Sequence, residues 1–233
     1  MPREKPKQTI NRTFHEYSEV EWELFVSFQE NALEILIELE KNGLTGGFVH
    51  GSVARGDVKA TSDIDIYLPL VIPSFLIDLL PTFRNAERRI MMATPNSVIR
   101  GVLSRNDNVS ISFPLTVANE RDIEFFRFSG LANRLQLQNQ QRTPGVTKKL
   151  ILIEPEGNGY WQTPVLEDKK RVGQLLGISQ RMIDERVRVL KRRDRIGRTG
   201  VFINVQIQPD ENYEQALKKL TDRNPIVRRA LRS

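Results

Sequence analysis

The stretch HGSVARGDVKATSDIDIYL, residues 50–68, places a Gly-Ser pair ahead of two closely spaced aspartates. The apolar run at 48–50 predicts a short strand that stops at Gly51. Residues 62–70 alternate with period two, so Asp63 and Asp65 share one face of a second predicted strand. The stretch is therefore either a site for metal ions and a triphosphate or a tight turn before an ordinary strand.

The chemistry of nucleotidyl transfer favours the first interpretation. Two Mg²⁺ (or Mn²⁺) ions about 3.5–4 Å apart can neutralise a triphosphate and align its attack, and two aspartates at i and i+2 can bridge such a pair. Gly51 lets the backbone approach a phosphate, and Ser52 offers a hydroxyl and an N–H group. Arg55 follows about one helical turn later, where its guanidinium can pair with a β- or γ-phosphate.

The pattern GSxARG at 51–56, followed by SDIDI at 62–66, resembles the polymerase-β-type nucleotidyltransferase superfamily. The resemblance implies an α/β (α+β) palm with a mixed sheet, in which Asp63 and Asp65 are catalytic metal ligands and Gly51, Ser52 and Arg55 bind the nucleotide. The whole chain resembles archaeal predicted nucleotidyltransferases that end in a winged helix-turn-helix. Segments 128–130 and 148–165 are similar to later palm and thumb elements of family X polymerases.

The chain departs from the superfamily pattern at the third carboxylate, which normally lies on a later strand. The matching predicted strand, 109–115, carries Ser110 and Ser112 where an acid is expected, and a serine is no base near neutral pH without help. Three interpretations stay open. In the first, another acid replaces the third carboxylate, with Glu124 the first candidate, followed by Asp122 and Asp107. In the second, two carboxylates suffice, because positioning and charge neutralisation dominate phosphoryl chemistry. In the third, the domain binds nucleotide without transferring it.

Composition restricts the other chemistry available to the chain. There are 233 residues, no cysteine and two histidines, which excludes disulfides and the usual zinc sites, so a metal has to be a hard ion held by carboxylates. No apolar run approaches the roughly 20 residues that cross a bilayer, and no apolar segment follows the basic N-terminus. We therefore expect a cytoplasmic protein with no membrane contact and a frayed tail at 1–17. His50 either contacts a phosphate or base, or is a partly buried residue at the end of a strand.

Periodicity predicts the remaining elements of a nucleotidyltransferase-like domain at 18–166. A capping box at Ser18 and Glu21 opens a helix of about 24 residues. Residues 73–92 read as helical with a break at Pro81, 98–103 and 109–115 as strands, and 135–141 as a surface helix. Residues 119–128 form a helix or a strand.

The C-terminal part, 167–233, reads as a separate basic module. Its segment up to Gly200 has eleven Lys or Arg against five Asp or Glu, a surplus of six that equals the net charge of +6 of the whole chain. Two predicted helices flank Gly177, with Ser179 as N-cap of the second, and residues 194–207 read as a glycine-containing hairpin in the place of a wing. The pattern resembles a winged helix-turn-helix. The residues expected to contact nucleic acid are Gln180, Arg181, Arg188, Lys191, Arg192, Arg193 and Arg198.

Two functional hypotheses follow. The first is an Mg²⁺-dependent nucleotidyltransferase that moves NMP from an NTP to a nucleic-acid end, a protein side chain or a small molecule, positioned by its winged domain on duplex DNA in preference to RNA. The second is a DNA-binding regulator with a degenerate domain that senses nucleotide. Winged helices also serve as protein-protein modules, and an Arg-rich helix is also compatible with a solvated face. A nucleotidyltransferase antitoxin is a third idea, although its usual form is shorter and lacks a winged domain.

Overall fold

We describe the protein from a computed structural model that places residues 12–197 and 200–231. The strands are β1 (Thr13–Glu16), β2 (Phe48–His50), β3 (Ile64–Tyr67), β4 (Glu87–Met92), β5 (Arg100–Ser104), β6 (Val109–Pro114), β7 (Leu131–Asn133), β8 (Gly145–Val146), β9 (Ile151–Glu156), β10 (Gly159–Pro164) and β11 (Ile203–Gln206). The helices are α1 (Glu19–Lys41), α2 (Ser52–Arg55), α3 (Ser74–Asp78), α4 (Glu120–Ser129), α5 (Arg134–Gln138), α6 (Lys169–Leu176), α7 (Gln180–Ile196), α8 (Tyr213–Arg223) and α9 (Pro225–Ala230), with a 3-10 turn at Pro81–Phe83.

The chain forms two compact units. The described residues of the first are 12–33, 49–62 and 123–197, and those of the second are 34–48, 63–122 and 200–231. This division differs from the expected boundary between 166 and 167. The reason lies in the packing, because α6 and α7 belong to the core of the first unit while β11 joins a sheet of the second. None of the helices within the described ranges is long and apolar enough to span a bilayer.

The first unit contains an antiparallel sheet in the order β1-β10-β9-β8. Apolar side chains of β8 and β9 share one core with α6 and α7, including Leu152, Val172, Ile183 and Val187. Gly177 takes a left-handed conformation between α6 and α7, and the Ser179 hydroxyl caps α7 by accepting from the Met182 N–H. The predicted helix, turn and helix are therefore present, without a separate core.

The second unit is built on a mixed sheet in the order β11-β4-β5-β6-β3. Strands β4, β5 and β6 are antiparallel neighbours, whereas β3 runs parallel to β6. On this sheet, Tyr213 of α8 packs edge-on against Phe113 at a centroid distance of 5.0 Å, over Gly101, where an added Cβ would lie 2.5 Å from the Phe113 ring. The mixed α and β architecture with a mixed sheet was expected.

Two predicted elements differ from the structure. Residues 87–92 form β4 rather than the end of a helix, because Ile90 and Met92 alternate into the core and pair across to neighbouring strands. Residues 203–206 form β11, which pairs antiparallel with β4 from Ile203 opposite Met92 to Gln206 opposite Arg89, in place of the expected wing strand. Residues 119–128, left open between helix and strand, are helical from Glu120 to Ser129.

Candidate functional site

The Gly-Ser turn of the first unit depends on an unusual backbone conformation at its glycine. Gly51 has φ 82° and ψ −143°, and a Cβ there would meet nothing within 4 Å, so one side of the turn is open. Its N–H donates to the Gly130 carbonyl at 3.2 Å, which fixes the start of the turn. The helix that follows, α2, is a single turn, so its dipole adds little attraction for an anion.

The hydroxyl of Ser52 lies beside a second serine of the same unit. Ser52 Oγ donates to Ser62 Oγ at 3.3 Å, and Ser62 Oγ accepts from the Lys59 N–H at 2.9 Å. Both serines are half-buried. The turn that ends at Ser62 therefore holds the predicted phosphate-binding hydroxyl in place.

His50 precedes this turn and lies half-buried at the end of β2. Its ring packs edge-on against Phe126 at 4.9 Å, and its Nδ1 lies 3.5 Å from Ser129 Oγ. These contacts agree with the interpretation of His50 as a packed residue at a strand end.

Arg55, the predicted triphosphate ligand, has partners within the protein. It is 6% exposed, donates to the Ser129 carbonyl at 2.7 Å, and pairs with the Asp57 carboxylate at 2.9 Å. Its Nε is buried with no hydrogen-bond partner among the described residues. The guanidinium therefore ties α2 to the end of α4, and its assignment to a phosphate stays a prediction.

Gly56 is required by packing rather than by a ligand. It has φ 98°, and a Cβ there would lie 2.3 Å from the Tyr17 hydroxyl and 2.8 Å from Arg142 Cδ. The Tyr17 hydroxyl donates to the Gly56 carbonyl at 2.9 Å, and burial raises the pKa of Tyr17. Two residues of the Arg-Gly pattern thus have structural roles in this unit.

The two aspartates belong to the start of β3 in the second unit. Asp63 is exposed immediately before the strand, and Asp65 is half-buried within it, while Ile64 and Ile66 are buried on the opposite face. The strand alternation therefore places both carboxylates on one face, as predicted.

Ser110 stands beside Asp65 on the neighbouring parallel strand. The register aligns Asp65 with Ser110 and Tyr67 with Ser112. Ser110 Oγ donates to Asp65 Oδ1 at 2.7 Å, whereas Ser112 Oγ donates to the Ile66 carbonyl at the long distance of 3.4 Å. A hydroxyl, rather than a third carboxylate, is thus in contact with Asp65.

Two of the acids considered as substitutes lie in the same unit and have cationic partners. Asp122 is buried, accepts from the Tyr67 hydroxyl at 3.0 Å and pairs with Arg100. Burial, with a contribution from Asp122, raises the pKa of Tyr67. Asp107 pairs with Arg105, whose hydrogen bond lowers the pKa of Asp107.

Glu124, the first-choice third acid, lies on α4 in the part that belongs to the first unit. Its carboxylate accepts from the backbone N–H of Ser179 and, at 2.9 Å, from the Ser179 hydroxyl. Glu124 therefore covers the N-terminus of α7, where a carboxylate also stabilises the helix dipole. Its catalytic role stays a prediction, and sequence periodicity gave no sign of this contact.

Asp63 and Asp65 are compatible with a hard divalent cation. Mg²⁺ commonly takes one or two carboxylates and completes its shell with phosphate oxygens and water. Within residues 12–197 and 200–231, no three His, Asp or Glu side chains converge on one point. A cation at these aspartates would be held by two carboxylates, which together carry a charge of −2. Its other ligands would come from nucleotide and solvent.

The residues predicted to contact nucleic acid lie on α7, in the first unit. Six of them are exposed: Gln180, Arg181, Arg188, Lys191, Arg192 and Arg193. Arg198 lies outside the described residues. The Gln180 amide donates to Asp184 at 3.3 Å, and Asp184 also accepts from Lys169 at 2.7 Å, which lowers the pKa of Asp184.

Arg186 is a residue of α7 that the sequence did not single out. Its guanidinium carbon lies 4.7 Å from the centre of the Phe125 ring and 5.7 Å from that of Phe128. Burial, reinforced by repulsion from Arg193, lowers the pKa of Arg186 to about 10. The side chain therefore packs α7 onto α4.

Models of known protein families, curated proteins and solved structures contain no match to this chain.

Proposed function

We propose that the protein binds a divalent metal and a nucleoside triphosphate and transfers a nucleotidyl group while bound to nucleic acid. Asp63 and Asp65 would hold Mg²⁺ or Mn²⁺, and Gly51 and Ser52 would bind phosphate. The observation that carries the proposal is the pair of carboxylates on one face of β3, one exposed and one half-buried, because such a pair matches the ligand preference of Mg²⁺.

The phosphate role of Gly51 and Ser52 is supported by local geometry. The open side of Gly51 and the half-buried hydroxyl of Ser52 leave room and a donor at the turn. Arg55 contributes indirectly in this proposal, because its bond to the Ser129 carbonyl and its pair with Asp57 hold the turn. The bound metal would supply neutralisation of triphosphate charge and polarisation of the phosphorus centre.

Ser110 has a defined part in this proposal. Its hydroxyl donates to Asp65 Oδ1 and so restricts the orientation of that carboxylate. A neutral hydroxyl stands where a third carboxylate is expected, so the site holds less negative charge. Its affinity for a divalent cation should therefore be lower, because that affinity decreases as the ligands carry less negative charge. We expect Mn²⁺ or a high concentration of Mg²⁺ to be needed for nucleotide binding.

The test is metal-dependent binding and transfer of labelled NTPs. Wild-type protein is incubated with each NTP, Mg²⁺ or Mn²⁺ and pooled nucleic acid, and bound and transferred label are measured separately. The double variant Asp63→Asn/Asp65→Asn should lose both. The control Asp210→Asn/Asp222→Asn removes the same charge from two exposed carboxylates of the second unit and should keep both. Equal binding by the two double variants would refute the assignment.

A second candidate is a nucleotide-sensing regulator of nucleic acid that transfers nothing. The Ser110 contact favours it, because the position beside Asp65 lacks a base. Ser110→Asp distinguishes the two candidates. If Ser110 prevents transfer, the variant should transfer label although wild type does not. Label transfer by wild type would establish the transferase. Metal-dependent nucleotide binding without transfer by either protein would support the sensor.

A further inference from the structure

We infer that α7 binds duplex DNA lengthwise, through a row of four arginines on the sugar-phosphate backbone, rather than by inserting its N-terminus to read bases. The row consists of Arg181, Arg188, Arg192 and Arg195. The inference deepens the nucleic-acid part of the proposed function and is independent of the metal and nucleotide part.

Helix geometry places these four side chains together. At 3.6 residues per turn, positions 181, 188, 192 and 195 fall within an arc of about 60° on the helix surface. All four are exposed, whereas Met182, Ile183, Val187 and Leu190 are buried on the opposite side. At 1.5 Å per residue the row extends over about 21 Å, which corresponds to about six phosphates of one DNA strand at 3.4 Å each.

Within the described residues, the four arginines are not held by hydrogen bonds or ion pairs. Many arginines elsewhere pair with an acid: Arg55 with Asp57, Arg88 with Asp78, Arg89 with Glu87, Arg100 with Asp122, Arg105 with Asp107 and Arg171 with Glu154. The row therefore keeps most of its charge available. Two half-buried acids of α7, Asp184 and Glu185, lie beside it, and Asp184 interacts electrostatically with Arg188.

The N-terminus of α7, where a recognition helix usually contacts bases, is already occupied. The Glu124 carboxylate accepts from the N–H and hydroxyl of Ser179 at that end. An acid there repels an approaching phosphate, and the Gln180 amide in the first turn is bonded to Asp184. These contacts therefore favour an arrangement in which the exposed arginines of α7 contact the sugar-phosphate backbone of the DNA.

A rigid row favours a duplex over other polyanions. A helix cannot adapt its spacing to a flexible chain, while duplex DNA presents its phosphates at fixed intervals. Backbone contacts position a protein without reading sequence, so the inference commits to binding that is independent of base sequence.

The test is the salt dependence of binding to labelled duplexes of two unrelated sequences, without nucleotide or metal. The variant R181Q/R188Q/R192Q/R195Q is compared with R84Q/K218Q/R223Q/R229Q, which lowers the net charge equally, from +6 to +2, at exposed residues of the second unit. The row variant should reduce the slope of log K against log salt by about 3–4, at about 0.9 per phosphate contact. The control should change it by less than about 1, and both duplexes should weaken by the same factor.

Several outcomes would overturn the inference. These are equal slopes for the two variants, a loss confined to one duplex sequence, or tighter row-dependent binding to single strands or to vesicles of anionic lipid. Failure of wild type to bind any duplex would overturn it as well. None of these results bears on the Asp63 and Asp65 assay, so the two proposals fail separately. Far-UV circular dichroism and the unfolding midpoint establish that both variants are folded.

Discussion

Arg55 was predicted to bind a triphosphate and Arg181, Arg188 and Arg192 of α7 were predicted to contact nucleic acid, and the structure gives the two sets opposite surroundings. Arg55 is 6% exposed and bonded to Asp57 and to the Ser129 carbonyl. Arg181, Arg188 and Arg192 are exposed and have no bonded partner within the described ranges. Arg55, although it lies in a pattern typical of anion binding, is therefore a structural residue. The exposed arginines of α7 keep a positive charge that is available to a ligand.

The difference shows that partners, rather than residue type, separate the two roles. A buried guanidinium loses hydration and has to regain it from carboxylates and carbonyls, as Arg55 does. An exposed guanidinium keeps its hydration and forms only weak surface pairs, so it can exchange water for a ligand phosphate at small cost. Substitutions in the two regions should therefore affect different measurements.

The largest effect is expected at Arg55. Arg55→Ala removes the bond to the Ser129 carbonyl and leaves the Asp57 carboxylate, 16% exposed, without its cation. Breaking one partner of a buried pair costs about 3–5 kcal/mol of unfolding free energy. Urea unfolding followed by circular dichroism should show a lower midpoint at an unchanged m-value.

The matched control for Arg55→Ala is Arg188→Ala on α7. Its side chain is exposed and makes no hydrogen bond to a described residue, so stability should change by no more than about 0.5 kcal/mol. If Arg55→Ala left stability unchanged but abolished nucleotide binding, Arg55 would be a ligand-binding residue, and the contrast between the two regions would disappear.

A loss of comparable size is expected at Gly56. Gly56→Ala forces a side chain into a φ of 98° and brings its Cβ to 2.3 Å from the Tyr17 hydroxyl. Backbone strain and overpacking each contribute about 1–3 kcal/mol. Gly46→Ala, at φ 75° with nothing within 4 Å, should lose only the strain part. Equal losses in thermal unfolding would show that Tyr17 moves aside freely and that packing does not require this glycine.

Two serines of β6, Ser110 and Ser112, allow a similar comparison between a side chain with a close polar partner and one without, with smaller expected effects. Ser110→Ala deletes a 2.7 Å hydrogen bond to the half-buried Asp65 carboxylate and should cost about 1.5 kcal/mol. Ser112→Ala deletes a weak 3.4 Å bond to a carbonyl and should cost less than about 0.5 kcal/mol. Unfolding at pH 7 measures both. The reverse order would mean that the Ser110 bond does not hold Asp65.

Local patterns in the sequence predicted much of the fold. The long helix of α1, the alternation that exposes Asp63 and buries Ile64, and the cap at Ser179 depend on neighbouring residues and were confirmed. Residues 87–92 were predicted to be helical and form a strand instead, and residues 203–206, predicted as a strand of the wing, pair with them across more than 100 positions of chain. No local periodicity records such a pairing.

The strand positions of the candidate-site residues were predictable from the sequence, but their contacts were not. Asp65 and Ser110 were identified from strand patterns, and the parallel register that joins them follows from the fold. Glu124 was predicted as the first substitute for the third carboxylate, yet its side chain bonds to Ser179 at the N-terminus of α7. Its proximity in sequence to Asp122, which pairs with Arg100, was no guide to which helix face each acid occupies.

Arg186 gives the smallest and most discriminating prediction, because it is half-buried and, like the row, forms no ion pair with an acid among the described residues. Burial lowers its pKa to about 10, so the folded state disfavours the charge, while contact with Phe125 at 4.7 Å contributes about 1 kcal/mol. These effects oppose each other, and Arg186→Met keeps the volume and removes the desolvation cost. We expect the unfolding free energy to stay constant or to rise by about 1 kcal/mol, against no change for Arg188→Met. If Arg186→Met instead lowered the unfolding free energy by more than about 1 kcal/mol, contact with the two phenylalanines would be stabilising Arg186 as a carboxylate does. Packing alone could then give an arginine a structural role.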